Sequence, residues 1–473
     1  MTYSKSTNVN NILLFLIVFS QVFLLPVSLK TQFAGNLGQV FGYITIIYVV
    51  YSGLRSNELK ISTNEASVFL VVVFWVILSL INSIRLFDAY GVLSGENTFT
   101  APLGSLYFHI VYLFMFIAYV CLIRKCDEVE KIISKAINIV IWLQLSIGFI
   151  QLLVVFGFPI IRYIYDFINF ADFLPESSFL ITMSRITMTG SEPASMGSAL
   201  GIISFPYLFT VIKESNSSKE KRSCWIKIIL LLLLAYFSKS STVFAIVAIT
   251  SLCFIINLLK ENRISKGMAF VGIAFIFGLS IVLFLSVFGG SILFSGKVIE
   301  ELYYYLVVKP SDTGNMSTMH RFSTTINDAV IISKHPILGV GDGNQGFTYG
   351  ENVPRFMLIN PKSKEFARGI GGVVNGGAWF WAILSGYGIV GVFPLVWWIL
   401  SSYRKKVKSL RENAFLYHFY IFALPAIFFT LLTGAMEPKM LFVLSIPLWN
   451  LNKNVNVIDN ESISDNGEED GIN

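Results

Sequence analysis

The sequence predicts an all-α polytopic membrane protein with about twelve transmembrane helices and two long external loops, the second of them partly helical. Of the 473 residues, 54% are hydrophobic and only 14% are charged, whereas soluble domains carry about 25% charged residues. Apolar stretches long enough to cross a bilayer recur along almost the whole chain,. Lys and Arg are concentrated in the short loops of one side, as the positive-inside rule requires.

Twelve apolar segments are predicted to span the membrane, because about 20 apolar residues cross a bilayer as a helix. They cover residues 12–29, 37–54, 67–84, 104–123, 136–158, 197–213, 226–238, 242–259, 268–289, 377–400, 414–432 and 439–451. The seventh and eighth are predicted to be two short helices that meet at S-K-S-S, since one long helix would bury Lys239 in the membrane at high cost. A cleavable signal peptide in the first segment is the less favoured alternative, because no small-x-small site follows it.

The distribution of basic residues predicts that both termini lie in the cytoplasm. Basic clusters then fall in the cytoplasmic loops around residues 55–60, 124–135, 219–222, 260–266 and 403–411. The four cysteines lie in the membrane or on the cytoplasmic side in this topology, so no disulfide framework is expected,.

The predicted topology divides the chain into four regions. These are membrane helices 1–9 within residues 1–289, which include the external loop 159–196; a large external (periplasmic) loop, 290–376; membrane helices 10–12 within 377–451; and an acidic, disordered cytoplasmic tail, 452–473. Loops as long as the two external ones are usually functional or disordered.

The second external loop is predicted to contain one amphipathic helix over residues 317–334. Its apolar face would consist of Met319, Phe322, Ile326 and Val330, which recur at steps of three and four residues,. His335 and Pro336 would end it, because proline cannot continue a helix.

Candidate functional residues in the first half of the chain lie at the ends of apolar segments. Arg185 precedes T-G-S-E-P-A-S-M-G and Glu192 lies within it; this small, polar stretch leads into a predicted helix N-terminus, which favours anions,. Arg185 could instead reach the lipid headgroups from the membrane boundary, and Glu192 could be either a helix cap or a base. Lys239 lies in the smallest external turn among hydroxyl side chains, which favours a polar cavity, although a snorkelling lysine is the alternative.

The second external loop supplies the remaining candidates. Arg321 lies on its predicted helix and His335 at the end of that helix, while Arg355 and Arg368 add cationic groups further on. The run G-V-G-D-G-N-Q-G is predicted to be a tight turn, because a dinucleotide site needs a βαβ unit and an EF-hand needs a terminal glutamate. The four histidines are not paired at ligand spacing, so no metal site is expected, and no basic stripe indicates nucleic acid.

The order of these parts resembles the O-antigen polymerase and ligase superfamily, and most closely the Wzy-type polysaccharide polymerases. Three segments carry the resemblance: R-I-T-M-T-G-S-E-P-A-S-M-G from Arg185; F-S-K-S-S-T-V-F-A-I-V, with Lys239 where arginine is usual; and H-R-F-S-T-T-I-N-D-A-V-I-I-S-K-H-P-I-L-G-V-G-D-G-N, which contains Arg321. The motifs cover roughly residues 180 to 400, and the topology resembles the family over nearly the whole chain.

The resemblance implies an inverting glycosyl transfer, without metal or cofactor, that polymerises oligosaccharide repeat units carried on undecaprenyl diphosphate. Guanidinium groups suit a leaving diphosphate, so the resemblance assigns diphosphate binding to Arg185, Arg321 and Lys239. Glu192 is the first candidate for the general base and His335 the second. Membrane lipid, a chain-length regulator and a flippase of the same pathway would be partners. Substrate contacts are expected from Arg355, Arg368 and Asn375.

Two other functions remain alternatives. An O-antigen ligase would perform the same chemistry on a lipid A-core acceptor, but such ligases usually carry a histidine-rich segment where this chain reads G-G-V-V-N-G-G-A. A transporter or flippase of lipid-linked sugars would be expected to show inverted repeats, broken helices or charges within its spans. The sequence shows no convincing repeat, and the predicted spans lack charges in their interior.

Overall fold

The computed structural model describes residues 3–23, 36–56, 63–90, 93, 96–169, 174–190, 192–261, 316–359, 361–368 and 378–449. Within these ranges the chain is helical and contains no β-strand; one isolated bridge joins Leu93 and Glu96. The predicted span 268–289, the acidic tail 452–473 and Asn375 lie outside the described residues.

The first eleven helices of the described residues lie before residue 262. They are α1 (Tyr3–Ser20), α2 (Leu37–Ser56), α3 (Thr63–Tyr90), α4 (Ala101–Ile123), α5 (Val129–Val155), α6 (Pro159–Ile168), α7 (Ser177–Met183), α8 (Pro193–Ala199), α9 (Phe205–Glu214), α10 (Ser218–Phe237) and α11 (Ser241–Lys260).

Six more helices follow residue 315. They are α12 (Met316–Lys334), α13 (Tyr349–Asn352), α14 (Pro361–Ala367), α15 (Trp379–Leu410), α16 (Ala414–Thr433) and α17 (Pro438–Ser445). Short 3₁₀ turns cover Gln345–Thr348, Met357–Ile359 and Ile446–Leu448.

Eight helices of the described chain are long and apolar enough to cross a membrane, which agrees with a helical membrane protein. They are α2, α3, α4, α5, the continuous α8–α9 pair, α11, α15 and α16. Three of the other four predicted spans coincide with shorter or more polar helices: Val9–Ser20, Pro438–Leu448 and α10, whose first half is charged. The fourth is the undescribed 268–289. The predicted separation of α10 and α11 at S-K-S-S is confirmed.

The core lies between α4, α5, α8–α9, α16 and α17, while large apolar side chains cover the outside of the bundle. Fully buried residues include Met115, Tyr119, Ile137, Leu200, Phe422 and Phe442. Outward-facing ones include Ile84, Leu54, Trp397 and Phe428, each more than 60% exposed. Exposed apolar side chains on helices of this length are what contact with lipid acyl chains requires.

The α8–α9 pair is joined by a π-helical turn, Leu200–Ser204. Pro206 lies two residues after this turn. It has no N–H to donate to the carbonyl four residues earlier, and its ring would clash with that carbonyl in a regular α-helix. The widened turn therefore keeps the two helices continuous through the bundle.

One end of the bundle, which we call the loop side, is where α3, α5, α10 and α16 end and α4, α11 and α15 begin. The start of α15 is tied to the end of α16 by a backbone hydrogen bond from Trp379 to the Gly434 carbonyl, 2.9 Å. On the loop side α6 exposes Ile160, Tyr163 and Phe167 and buries only Tyr165. This pattern is typical of a helix that lies in a membrane interface.

Helix α15 is broken at Gly388, which has φ 61° and ψ −169°. The segment 336–341 pairs with the break: Val340 and Gly341 donate to the Ser385 and Gly386 carbonyls, at 3.0 and 2.7 Å. The N–H groups of residues 389 and 390 donate in return to the carbonyls of residues 336 and 337, at 2.9 and 3.1 Å. The break therefore keeps its backbone groups hydrogen-bonded inside the bundle.

The predicted amphipathic helix is present as α12, but its buried face differs from the predicted one. Phe322 is 57% exposed, and the side chain of Met319 is outside the described part. Ile326 packs against a small apolar cluster beneath α13. The buried face is instead mostly polar and consists of Ser323, Thr324, Asn327, Asp328 and Ile331.

The polar face of α12 is buried because its partners are polar. The Asn327 amide donates to the Gln345 carbonyl at 2.8 Å, and the Ser323 and Tyr349 hydroxyls are 2.5 Å apart. Asp328 accepts a hydrogen bond from Ser385 of α15 at 2.8 Å. Hydrogen bonds that satisfy buried polar groups remove the cost of burying them.

Candidate functional site

Arg185 lies in a loop that the bundle holds in one conformation. The buried Gln151 side chain of α5 accepts hydrogen bonds from the N–H groups of Thr187 and Met188, at 3.0 and 2.7 Å, and donates to the Met188 carbonyl at 2.9 Å. Ser184 and Met188 have positive φ angles of 46° and 50°. Non-glycine residues in this region are strained, and such strain clusters at functional sites.

The Arg185 side chain is partly buried beside Phe179, with the guanidinium carbon 5.7 Å from the ring centroid. Its Nε is enclosed and makes no hydrogen bond to any residue that the structure describes. A buried guanidinium nitrogen without an acceptor costs free energy unless a ligand or water supplies one. The Arg185 guanidinium therefore keeps one hydrogen-bond donor that no described residue uses.

Lys239 is brought to the same place by the backbone. Ile186, next to Arg185, donates to the carbonyl of Phe237, the last residue of α10, at 3.2 Å. Lys239 has φ 51° and occupies the turn before α11. The structure therefore brings the Arg185 loop and the Lys239 turn into contact on the loop side.

Glu192 is the N-cap residue of α8, one of the two roles open to it from the sequence. The Ser195 hydroxyl accepts from the Glu192 N–H at 3.3 Å and donates to its carbonyl at 2.8 Å. The residue is exposed. The start of α8 packs closely on α11, since a Cβ at Gly197 would lie 3.1 Å from the Val243 Cα. Glu192 thus lies on the loop side with Arg185 and Lys239.

Two further charged residues on the loop side were missed by sequence reasoning. Glu437 precedes α17, accepts a hydrogen bond from Ser198 of α8 at 3.2 Å and forms an ion pair with the buried Lys439. The signal was present in the sequence, because E-P begins both α8 and α17. We define the junction site as Arg185, Glu192, Lys239, Glu437 and Lys439.

The candidates from the second external loop form a separate group. Arg321 is half-buried near the start of α12, and Arg355 and Arg368 are exposed on the following short helices and turns. Asn375 lies outside the described residues. The three arginines therefore belong to helices and turns other than those that carry the junction site.

His335 lies at the end of α12 in a cationic environment. Arg85 of α3 donates to the Gly339 carbonyl nearby. Burial, then Arg85 and then Lys334 lower the pKa of His335 below its usual value of 6.5. His335 is therefore mostly neutral at pH 7.

The run G-V-G-D-G-N-Q-G does turn, but it also carries a buried ionisable pair that the sequence did not reveal. Asp342 lies 2.7 Å from His109 Nε2 in α4, with side chains 5% and 11% exposed. The pair joins a residue within the predicted span 104–123 to one in the predicted loop 290–376. Among the described residues no group of three or more His, Cys, Asp or Glu side chains could hold a metal ion.

Comparison with known proteins gives no relative for this chain. No protein-family model matches it, and neither a curated protein nor a solved structure is significantly similar. Its function therefore has to be argued from its own residues.

Proposed function

We propose that the protein is a polysaccharide polymerase of the O-antigen polymerase and ligase superfamily. It would join lipid-linked oligosaccharide repeat units into O-antigen or capsule on the outer face of a bacterial inner membrane. The observation that supports this most directly is the contact between the Arg185 loop and the Lys239 turn, through the Ile186–Phe237 hydrogen bond. It places two cationic residues of the resemblance at one end of an apolar bundle.

The physical argument rests on the shape and charge of the substrate. A polyprenyl diphosphate combines a long apolar chain with a compact double anion, so its site needs cations at the border of a lipid-facing surface. Arg185 has an unsatisfied Nε, and guanidinium groups bind phosphate oxygens in a fixed geometry. In the proposed step an acceptor hydroxyl attacks the anomeric carbon of the chain while its bond to the diphosphate breaks. Arg185 and Lys239 stabilise the charge that develops there.

The test is the length of surface polysaccharide in a deletion strain that expresses each variant. Wild type should give a ladder, whereas Arg185→Ala should give single repeat units. Arg162→Ala is the matched control, because Arg162 is also on the loop side but is exposed, forms an ion pair with Asp166, 3.8 Å away, and donates to the Ser177 hydroxyl at 3.2 Å. It should restore the ladder. A ladder from Arg185→Ala at wild-type membrane abundance would refute the assignment of Arg185.

A transporter of lipid-linked sugars is the second candidate, and two observations favour it. Helix α15 is discontinuous at Gly388, and His109 and Asp342 are ionisable groups within the bundle. Broken helices and buried charges mark substrate and ion pathways in transporters. The deletion strain separates the functions: single repeat units at the cell surface indicate a missing polymerase, and units retained in the cytoplasm indicate a missing flippase. Full-length polymer left on the carrier would indicate a ligase.

A further inference from the structure

The His109–Asp342 pair has the geometry of a base held by a carboxylate. Asp342 Oδ2 is 2.7 Å from His109 Nε2, and its Oδ1 accepts from Gln345 Nε2 at 2.9 Å. The same Gln345 nitrogen donates to the Ala382 carbonyl at 3.1 Å. The neighbouring Gly341 is fixed to Gly386 by its backbone. Asp342 is thus held in position by α15.

The other nitrogen of the His109 ring is not used by the fold. Nδ1 makes no hydrogen bond to any residue of the described chain, and it is not among the fully enclosed polar atoms. An ionised carboxylate can only accept, so Nε2 carries the proton and Nδ1 has a free lone pair. The side chain is 11% exposed, and Nδ1 retains part of that exposed surface.

Aromatic side chains pack around the His109 ring. Trp75 meets the His109 ring edge-on at 5.1 Å between centroids, and Tyr387 lies 6.1 Å away and stacks on Trp75. Trp75 is fixed by a hydrogen bond from Nε1 to the Gly391 carbonyl at 2.8 Å. The titratable groups that face His109 are Asp342 and Tyr387. Because the ring is held on several sides, the direction of Nδ1 is set in advance of any ligand.

The pair and the junction site are linked by the next turn of α4. Tyr112 follows His109 by three residues, hence on the same helix face, and it is within electrostatic reach of Glu437. Glu437 accepts from Ser198 of α8, the helix that begins after Glu192. Since α4 packs against α17, His109 and the junction site lie on helices that are in contact.

We propose that His109 is the general base of the transfer reaction and that Asp342 positions it. In this step the acceptor hydroxyl gives its proton to His109 Nδ1 as its oxygen bonds to the anomeric carbon. The bond from that carbon to the diphosphate oxygen breaks, and the electron pair leaves with the diphosphate. The proton is later released to water. This inference rests on the proposed polymerase function.

The two bases expected from the sequence are less suited to this role. Glu192 is exposed and lies at a helix N-cap. His335 faces Arg85 and Lys334, which together with burial lower its pKa and make it a weaker base. His109 instead faces a carboxylate, which stabilises the imidazolium that proton transfer forms.

The experiment measures polymer formation by the purified full chain in lipid vesicles. The substrates are lipid-linked repeat units extracted from the deletion strain. The rate is measured between about pH 5.5 and 9, a range that brackets the usual histidine pKa. His109→Gln should lower the rate at least about 100-fold, the usual contribution of a general base. His418→Gln is the matched control: His418 is also paired with a carboxylate, Glu214 at 2.9 Å, but at the opposite end of the bundle. It should keep the wild-type rate.

Asp342→Asn tests the positioning role without removing the base. It should lower the maximal rate throughout this pH range while leaving KM near the wild-type value, because the imidazole remains but is no longer held in its orientation. If His109→Gln does not fold, this variant decides: an unchanged maximal rate in Asp342→Asn overturns the proposal. If His109→Gln keeps the wild-type rate while Arg185→Ala is inactive, the role of His109 as general base is refuted but the proposed polymerase function is not. No polymer from wild type, with repeat units moved across the vesicle membrane, refutes the polymerase itself.

Discussion

Replacing Gly388 by alanine should strongly destabilise the bundle, because both the backbone conformation and the surrounding space suit only glycine. Gly388 has a φ of 61° and a ψ of −169°, a combination that is open almost only to glycine,. A Cβ at this position would lie 2.3 Å from the Ile337 carbonyl oxygen, which is backbone and cannot rotate away. Residues 336 and 337 would therefore have to move away from the break in α15.

The magnitude follows from two contributions. The backbone conformation costs a non-glycine residue about 1–3 kcal/mol. Displacing residues 336 and 337 breaks the hydrogen bonds that their carbonyls accept from residues 389 and 390, each worth about 0.5–1.5 kcal/mol. The free energy of unfolding should fall by about 2–6 kcal/mol.

Two glycines provide controls for a denaturant titration of the purified protein in detergent. Gly157 has φ 83°, and an added methyl group would meet nothing within 4 Å, so Gly157→Ala should show the conformational cost alone, about 1–2 kcal/mol,. Gly104 is helical and equally open, so Gly104→Ala should be neutral or slightly stabilising. If Gly388→Ala costs no more than Gly157→Ala, the pairing of α15 with residues 336–341 does not stabilise the fold.

Two further predictions concern other parts of the loop side. Burial, Arg85 and Lys334 lower the pKa of His335, so His335 binds a proton at higher pH in the unfolded state than in the folded state. The Tm of the wild type should therefore fall as the pH drops through about 6.5, and the Tm of His335→Gln should fall less. Equal decreases in Tm would show that other groups dominate. Gln151→Met leaves two N–H groups unpaired in the Arg185 loop, at about 1–3 kcal/mol each, and should expose the loop to proteolysis. Gln144→Met is the control, because among the described residues the Gln144 side chain accepts a hydrogen bond only from the Ser204 hydroxyl. Equal protease resistance of the two variants would contradict the role of Gln151.

Helix positions followed from the sequence because they depend on local patterns. The turn at Lys239 was predicted from the cost of one buried charge, and α10 and α11 do separate there. The bounds of α12 agree with the prediction to within one residue. Its buried face did not follow, because the polar partners of Asn327 and Ser323 come from residues 345–363, which fold against it only in three dimensions.

Only those residues of the candidate site that leave a local pattern in the sequence could be predicted. Arg185, Glu192 and Lys239 lie at the ends of apolar segments, where the sequence shows a polar residue against an apolar background. His109 lies within a span and its partner Asp342 is 233 residues away along the chain. No periodicity or spacing reports a pair that far apart. The broken α15 was hidden because glycines at residues 386 and 388 are compatible with an uninterrupted apolar span.

The break in α15 has a consequence for how the protein is made. A helix that enters the bilayer with unpaired backbone groups is costly, because lipid offers them no hydrogen bonds. The partners of this break, residues 336–341, are synthesised before α15 and reach it from the second external loop. That segment must therefore reach the end of the bundle where α15 begins before α15 can adopt its final position, so placement of the segment and insertion of the helix become one coupled event in biogenesis.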